Sequence, residues 1–587
     1  MCLLWFLLPP ALWAQTSNRG RAAIEKALPM LQRSAATFVA KRACVSCHHN
    51  ILTILTLDSA LKRGIKIDEA VLGAVKDKTF RELQSPTALD DAVQASTLND
   101  PTPDDSYLLM AAADADLPAD VTTAVYARRL ARWQREGHWV TSDFRPPHSS
   151  SLFMTTATAV RAIRFYMPPE LKEERDAVIA RAREWLVKSR PVSAEDASFR
   201  VMGLVWSAAS SDQIVAAKQD LLAMQKSNGG WPQVSGYEPD AYSTGEALVA
   251  LDEGGHQFAP SAFEKGIKFL ISTQASDGTW HVHTRMISPA DVSPKYFATG
   301  FPYGKDEFLS YAGSCWAVMA LLRALPKTGP PIATDAIHPS SWMHTALFGT
   351  SRDLEMLLNA GLDPNTKTNK GTTLLMASVL DPDKVQLLIS RGAAVKARSA
   401  SEHDALTIAC AYRGTARSVQ LLLDAGAEVQ LPEGLRTRNT PLVFAAMTGD
   451  MENVKLLIAR GARPTEKALS QAVTFGYPEV VDGLIAAGAD VIGLKDSSGV
   501  NLLHWAAITD RPAMVPILVK AHVPINDMDD NGFTPLMYAA TIDFGDEEVL
   551  KALLKAGADK TIRNYEGRTP LAQAKHYKHS HLEAALR

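Results

Sequence analysis

Cysteine is scarce in this chain: five among 587 residues. Two of them, Cys315 and Cys410, stand alone in apolar helical text, far apart in sequence. No disulfide framework is encoded, and buried free thiols are expected at both positions. An excess of charge of either sign is also missing. Sixty-one Lys and Arg stand against 64 Asp and Glu, for a formal net charge of −3, and no basic run stands out. Nothing therefore points to nucleic acid or to an anionic membrane. Beyond the first residues, no apolar run approaches the roughly 20 residues that a spanning helix needs. There is no Gly-rich phosphate loop after a strand, no Gly-x-Ser-x-Gly elbow and no His-Glu-x-x-His zinc motif.

What is present begins at the N-terminus. Residues 1–14, MCLLWFLLPPALWA, hold a wholly apolar run from Leu3 to Leu8 and end on Ala14 before Gln15. This reads as a signal peptide with a small residue at the cut, although the first basic residue comes only at Arg19. Export to a periplasmic or secreted location is the expectation.

Cys44-Val45-Ser46-Cys47-His48 follows. Two thiols one helical turn apart, with an imidazole directly after the second, resemble the attachment pattern of c-type cytochromes. The resemblance implies haem c held by Cys44 and Cys47, with His48 as proximal iron ligand. It also agrees with export, because such haem is attached outside the bacterial cytoplasm. Met110, Met30 and His49 are the weak candidates for a distal ligand. The alternatives are a redox or structural Cys-x-x-Cys, or a metal site. For the latter, Cys44, Cys47, His48 and His49 lie too close in sequence for easy tetrahedral geometry.

The C-terminal part repeats itself. Asn439-Thr440-Pro441-Leu442, Asn531-Gly532-Phe533-Thr534-Pro535-Leu536 and Glu566-Gly567-Arg568-Thr569-Pro570-Leu571 each open a unit. A helix-closing Gly recurs at 361, 392, 426, 461, 488 and 557, with Ala521-His522 filling the gap. The spacing and the Thr-Pro-Leu signature resemble the ankyrin family over 337–587, as seven full units and a closing half-repeat. Pro begins the first helix of a unit and Gly ends the second. Between Gly461 and Gly488 the unit is short and lacks Thr-Pro-Leu, so a clipped finger is expected there. An ankyrin stack implies a protein partner on its concave face.

The N-terminal part carries a different signature. Gln134-Arg135-Glu136-Gly137-His138-Trp139, Gln225 through Gly229-Gly230-Trp231, and Gln274 through Gly278-Thr279-Trp280 each close a helix with Gln, a Gly turn and Trp. These are similar to the QW repeat of squalene–hopene cyclases and protein prenyltransferase subunits. The resemblance implies an α/α toroid over 22–325, joined to the ankyrin part by a Pro/Gly-rich linker, 326–336. Gln would tie helix end to loop, and Trp would seal the turn.

The chemistry of those two families transfers poorly. The one literal Asp-x-Asp-Asp of a cyclase acid, Asp527-Met528-Asp529-Asp530, falls in an ankyrin finger, where a solvated turn is expected. Asp114-Ala115-Asp116, Asp104-Asp105 and Asp90-Asp91 are pairs without the rest of the motif. Cys315-Trp316 matches the prenyltransferase zinc cysteine loosely, but Gly313 stands where that family has its ligating Asp. His281 and His283 are possible ligands, read more simply as a surface pair. Asp240, Tyr242 and Glu246 would line the mouth of a toroid cavity, with Asp240 equally a helix cap.

The expected protein is all-α, a toroid followed by an ankyrin solenoid, similar to bacterial ankyrin proteins with a prenyltransferase-like repeat domain. Its expected role is an exported protein-binding scaffold without catalytic residues, with Cys44, Cys47 and His48 holding a haem for redox or ligand sensing. Two alternatives are an isoprenoid- or polysaccharide-acting enzyme using the toroid cavity, and a periplasmic electron carrier. An acidic cavity lining would favour the enzyme. A cavity plugged by Leu, Phe and Trp would favour the scaffold.

Overall fold

The computed structural model describes residues 10–41, 48–255 except 97, 99 and 149, 259–285, 299–326, 342–431, and 435–587 except 436 and 438. Cys44, Cys47 and nearly all of the expected linker lie outside the described residues. The described residues are almost wholly helical, in two parts.

The N-terminal part contains α1 (Pro10–Lys41), α2 (His48–Leu61), α3 (Glu69–Thr79), α4 (Arg81–Gln84), α5 (Ala88–Val93), α6 (Pro101–Asp114) and α7 (Val121–Trp133). It continues with α8 (Leu152–Tyr166), α9 (Lys172–Lys188), α10 (Ala194–Trp206), α11 (Ser211–Ala223), α12 (Ala241–Asp252), α13 (Pro260–Thr273) and α14 (Glu307–Arg323). The even-numbered helices α2, α6, α8, α10, α12 and α14 pack in that order and close on themselves through α14 against α2. Helices α1, α3, α7, α9, α11 and α13 lie outside this ring, each against an inner partner. This is an α/α toroid. The inner helices are buried on nearly every side; α6, α8, α12 and α14 have eleven or more buried residues each. A helix apolar all round belongs in a core. Side-chain caps at Asp100, Asp120, Ser151, Ser193, Ser210 and Asp240 satisfy first-turn N–H groups and fix where these helices start.

The three Gln-Gly-Trp turns are staples of one geometry. Gln134 donates to Val178 O (2.9 Å), Gln225 to Ala262 O (2.9 Å) and Gln274 to Ala23 O (2.8 Å), each on the next outer helix. Trp139, Trp231 and Trp280 donate through Nε1 to the carbonyls of Leu130, Leu221 and Leu270 (2.7–2.8 Å), within the helix just ended. Gly278 takes φ +91°, and a Cβ there would sit 2.2 Å from Lys26 O. Only glycine lets the turn press this closely on α1. The Gln thus does more than tie its own loop: the third copy joins α13 to α1 and closes the outer ring. Among the described residues, one small sheet pairs β1 (Trp231–Pro232) with β2 (Pro239–Asp240).

The C-terminal part is a stack of helix pairs. The first helices are α15 (Trp342–Phe348), α17 (Leu374–Ala377), α19 (Ala405–Cys410), α21 (Pro441–Thr448), α23 (Glu466–Phe475), α25 (Leu502–Ile508), α27 (Pro535–Thr541) and α29 (Pro570–Tyr577). Their partners are α16 (Ser351–Asn359), α18 (Pro382–Ser390), α20 (Ala416–Asp424), α22 (Met451–Ala459), α24 (Pro478–Ala486), α26 (Met514–Lys520), α28 (Glu548–Lys555) and α30 (Ser580–Leu586). The expected closing half-repeat is a full pair, because Ser580–Leu586 forms a second helix that packs on α29. The clipped finger is present: only residues 460–465 separate α22 from α23. Thr373, Thr440, Thr534 and Thr569 cap first helices through their hydroxyls. His522 takes φ +64° where most units have glycine. Isolated bridges close individual fingers, Lys367 with Thr373 and Lys495 with Asn501, and backbone bonds from Ala400 N to Lys370 O (2.8 Å) and from Asp530 N to Ser498 O (2.9 Å) link neighbouring ones.

The two parts are interlocked from the first unit to the seventh. Gln94 donates to Thr372 Oγ1 (2.7 Å), while its carbonyl bonds His403 Nδ1 (2.8 Å). Arg128 donates to Leu347 O, and Trp133 Nε1 to Ala411 O (3.0 Å). Arg135 pairs with Glu479 (2.8 Å) and Arg285 donates to Asp543 O (2.6 Å). All residues of α19 and α27 are buried. The toroid therefore packs on the first helices, on the turns after them and on the first two fingers. That is the surface on which the sequence placed a separate partner.

No helix among the described residues is long and apolar enough to cross a membrane. The expected signal-peptide cut after Ala14 falls within the span of α1.

Candidate functional site

Helix α12 starts where Asp240 caps it, its Oδ1 accepting from Ser243 N (2.9 Å) and its Oδ2 from Gln233 Nε2 (2.8 Å). Burial still pushes its carboxyl up to about 6. Two residues on, Tyr242 meets His148 Nδ1 through its hydroxyl (3.1 Å). One turn further on, Glu246 is completely buried. Of the three residues that the sequence placed at the cavity mouth, Tyr242 and Glu246 are completely buried, while Asp240 is half-buried and is the helix cap.

Sequence reasoning missed their counterpart on α10. Ser193 and Asp196 cap that helix reciprocally, and Asp196 also accepts from Ser151 Oγ (2.6 Å). Glu195, between them, takes no part and is 2% exposed. All four carboxyl oxygens of Glu195 and Glu246 are buried without a hydrogen-bond partner, as is the Tyr107 hydroxyl on α6. Burial pushes both carboxyls well above the ordinary glutamate range; the charge of Glu246 adds to this at Glu195, and those of Asp196 and Asp240 at Glu246. Tyr107 and Tyr242 are raised by burial and the same carboxylates. His148 is pushed down to about 3 by burial, so its ring is neutral. The ring thus holds two buried carboxyls pushed toward their neutral form, with unspent hydrogen-bonding capacity. Such groups suit hydrogen-bonding a polar ligand or giving up a proton. The only trace in sequence was the Glu in Ser193-Ala194-Glu195-Asp196, which reads as helix-start acid.

Cys315 points away from metal chemistry. It is buried in α14 and pushed up to about 12 by burial. Gly313 is required by packing, since a Cβ there would lie 2.6 Å from Val282 Cγ2. Cys410 is likewise a buried free thiol. His281 and His283 converge instead on Asp306, at the start of α14. His281 Nε2 and His283 Nδ1 lie 2.9 and 3.1 Å from Asp306 Oδ2. The donor atoms of the three residues all fall within 4.8 Å of one another.

The acidic pairs have structural roles. Asp105 and Arg129 form a buried bidentate pair (2.7 and 2.8 Å). Asp90 accepts from Thr368 and Thr372 across the two parts. Asp114 pairs with Arg161, and Asp116 with Lys62 (2.6 Å). Asp529 is in a finger as expected, but it is not solvated. It is 2% exposed, accepting from the N–H groups of Asn531 and Phe533 and from Tyr538 Oη (2.7 Å).

Of the expected haem ligands, Cys44 and Cys47 lie outside the described residues, and His48 is the first residue of α2. The distal candidates are otherwise engaged. His49 is sandwiched between Phe38 and Tyr311, with ring centroids 4.4 and 3.6 Å away. Met110 is core, and Met30 Sδ accepts from Arg33 (3.6 Å).

The family model described as ankyrin repeats (3 copies) matches residues 342–433, 411–493, 469–564 and 503–586. A putative ankyrin repeat-containing protein of Treponema pallidum (strain Nichols) is 32% identical over 119 residues, 20% of this chain and 39% of that protein. Inversin of Canis lupus familiaris is 30% identical over 161 residues, 26% of this chain and 15% of that protein. The ankyrin repeat and KH domain-containing protein mask-1 of Caenorhabditis elegans is 29% identical over 241 residues, 39% of this chain and 9% of that protein. The chain thus spans well under half the length of these relatives.

Proposed function

With residues 342–586 being ankyrin repeats, we propose that this chain is an exported protein-binding scaffold that uses the fingers and second helices of its stack. The observation that carries this reading is the docking of the toroid. It covers the first-helix side over most of the stack, holds the units in one arrangement, and leaves the opposite side open. Exposed apolar side chains mark that open side: Ile492 and Tyr565 on fingers, and Met356 on α16. An external partner docks there, not on the concave face.

Cys44, Cys47 and His48 would hold the haem, which supplies redox or ligand-sensing chemistry when bound. Met30, His49 and Met110 are each packed or bonded elsewhere, so the proposal gives none of them a part in holding the group.

A photo-crosslinking residue placed at Ile492 or Tyr565, in the source organism, tests the scaffold. A discrete adduct at both, absent when the probe replaces the buried Leu457, is expected. Absence of adducts at both fingers sinks the open-side reading. For the haem, protein secreted from a cytochrome-maturing host is run on a denaturing gel and stained. A retained Soret band lost in Cys44→Ser/Cys47→Ser is expected, and colourless wild-type protein removes the haem.

The acids at the ring centre support a second reading, an enzyme acting on an isoprenoid or polysaccharide. Glu246 and Glu195, whose carboxyls burial pushes toward the neutral form, would serve as proton donors. Turnover of an alkene or oligosaccharide substrate that falls at least a hundredfold in Glu246→Gln, with substrate binding retained, would establish it. An equal rate in the variant refutes the role.

A further inference from the structure

We propose that His281, His283 and Asp306 form a site for one divalent transition-metal cation, with zinc the best chemical match, clasping the segment after Trp280 to the start of α14. Two imidazole nitrogens and one carboxylate oxygen converge from two directions, 2.9 and 3.1 Å apart across the His–Asp contacts. Tetrahedral ligands about 2.0–2.1 Å from zinc lie roughly 3.3 Å from one another, so little movement admits the ion. Imidazole with carboxylate suits zinc and its neighbours rather than calcium or magnesium, which prefer all-oxygen shells.

The surroundings are those of supported ligands. Asp306 Oδ1 accepts from Thr284 N (3.1 Å), which fixes the carboxylate plane. The His281 ring stacks on Tyr303, with centroids 4.5 Å apart and planes 12° from parallel. The Tyr303 hydroxyl in turn bonds Thr279 Oγ1 (2.8 Å). His283, 79% exposed, faces solvent, so a fourth position is open to water.

The position gives the ion something to do. Two residues beyond His283, Arg285 is buried; it bonds Gln233 Oε1 (2.8 Å) and the Asp543 carbonyl in the seventh ankyrin unit (2.6 Å). A cation at the clasp would hold the segment at one end while Arg285 holds it to the ankyrin stack at the other. Metal occupancy would then stiffen the joint between the two parts. The set contains no cysteine, and it differs from the Cys315 position that the prenyltransferase resemblance suggested.

The test uses the full chain carrying Cys44→Ser/Cys47→Ser, so that those thiols cannot take the metal. The chelator-dialysed protein is titrated with zinc alone, by competition with a chromogenic chelator, and melted with and without zinc. One zinc per chain and a zinc-dependent rise in melting temperature are expected. His283→Ala should weaken binding at least tenfold and abolish the rise, while melting like the parent without metal, because its ring is mostly in solvent. Asp306→Asn should likewise weaken zinc binding at least tenfold and abolish the rise. Zinc bound equally well by the parent and His283→Ala, or not bound by the parent, overturns the site. Binding of magnesium in preference to zinc overturns the donor-set argument.

Discussion

The toroid and the ankyrin stack are both built of paired helices, but they bury different chemistry. The stack packs Leu, Val and Ala, with Leu457, Leu484 and Leu518 in successive second helices all completely buried. Its buried polar groups are mostly caps and finger anchors, such as Thr534, Asn501 and Asp529. The toroid buries Arg129 with Asp105, and leaves Glu195 and Glu246 buried with no partner at all. A buried acid without a hydrogen bond costs stability, and nothing in packing requires two of them. The stack's unpaired buried polar atoms, Asn453 Oδ1 and Asp510 Oδ1 among them, are scattered single atoms, whereas the toroid leaves two whole carboxyls unpaired on neighbouring inner helices. Such breaks in local consistency are where function is sought.

The largest expected effect probes the toroid's own staple. Trp231 is completely buried, donates to Leu221 O (2.8 Å), and its backbone N–H reaches Thr244 Oγ1 (2.9 Å). Trp231→Ala should cost about 3–5 kcal/mol by urea unfolding, from lost burial plus the cavity left behind. A loss below about 1 kcal/mol would mean that the turn does not hold the ring. The ankyrin fingers are held differently, by backbone bonds between neighbours such as Asp530 N to Ser498 O (2.9 Å) and Ala400 N to Lys370 O (2.8 Å).

This contrast also explains what the sequence disclosed. Thr440-Pro441-Leu442 and its copies spell out a unit whose cap, helix start and helix end lie within a dozen residues, so the solenoid was legible. The Gln-Gly-Trp turns were legible for the same reason, down to the Gln side chain tying helix to loop. The ring centre was only half legible. Tyr242 and Glu246 share one helix face and were named. Glu195 and Tyr107 come from other helices, and only ring closure brings them to bear on Glu246. The His281–His283 pair was visible, but its carboxylate, Asp306, is more than 20 residues away. The docking of toroid on stack left no local mark either. Gln94 and Trp133 read as an ordinary loop and an ordinary helix end.

A smaller effect uses pH to separate the two parts. His49 sits in the toroid between Phe38 and Tyr311, pushed down to about 3 by burial. Between pH 3 and pH 6.5 its ring is neutral when folded and protonated when unfolded. The unfolded state then binds the extra proton, so stability rises with pH across that window. From pH 5 to pH 7, this one residue adds about 2 kcal/mol. His49→Phe keeps the ring stack and removes the proton. The gain in unfolding free energy between pH 5 and pH 7 should shrink by about that amount. An unchanged gain would show that the ring is not held neutral.

The smallest effect belongs to the stack, where stability is spread over many equivalent caps. Thr440 Oγ1 accepts from Val443 N (3.2 Å) at the start of α21, and Pro441 already fixes the first φ. Thr440→Ala removes one first-turn acceptor while leaving the Pro and the buried Leu442 in place. About 1 kcal/mol should be lost, read as a modest fall in the urea midpoint with an unchanged slope. A solenoid distributes its stability over units and their interfaces, so no single cap should carry more. A loss as large as that of Trp231→Ala would mean that this unit acts as a staple, as the Gln-Gly-Trp turns do, and the division between a ring held at a few points and a stack held everywhere would fall.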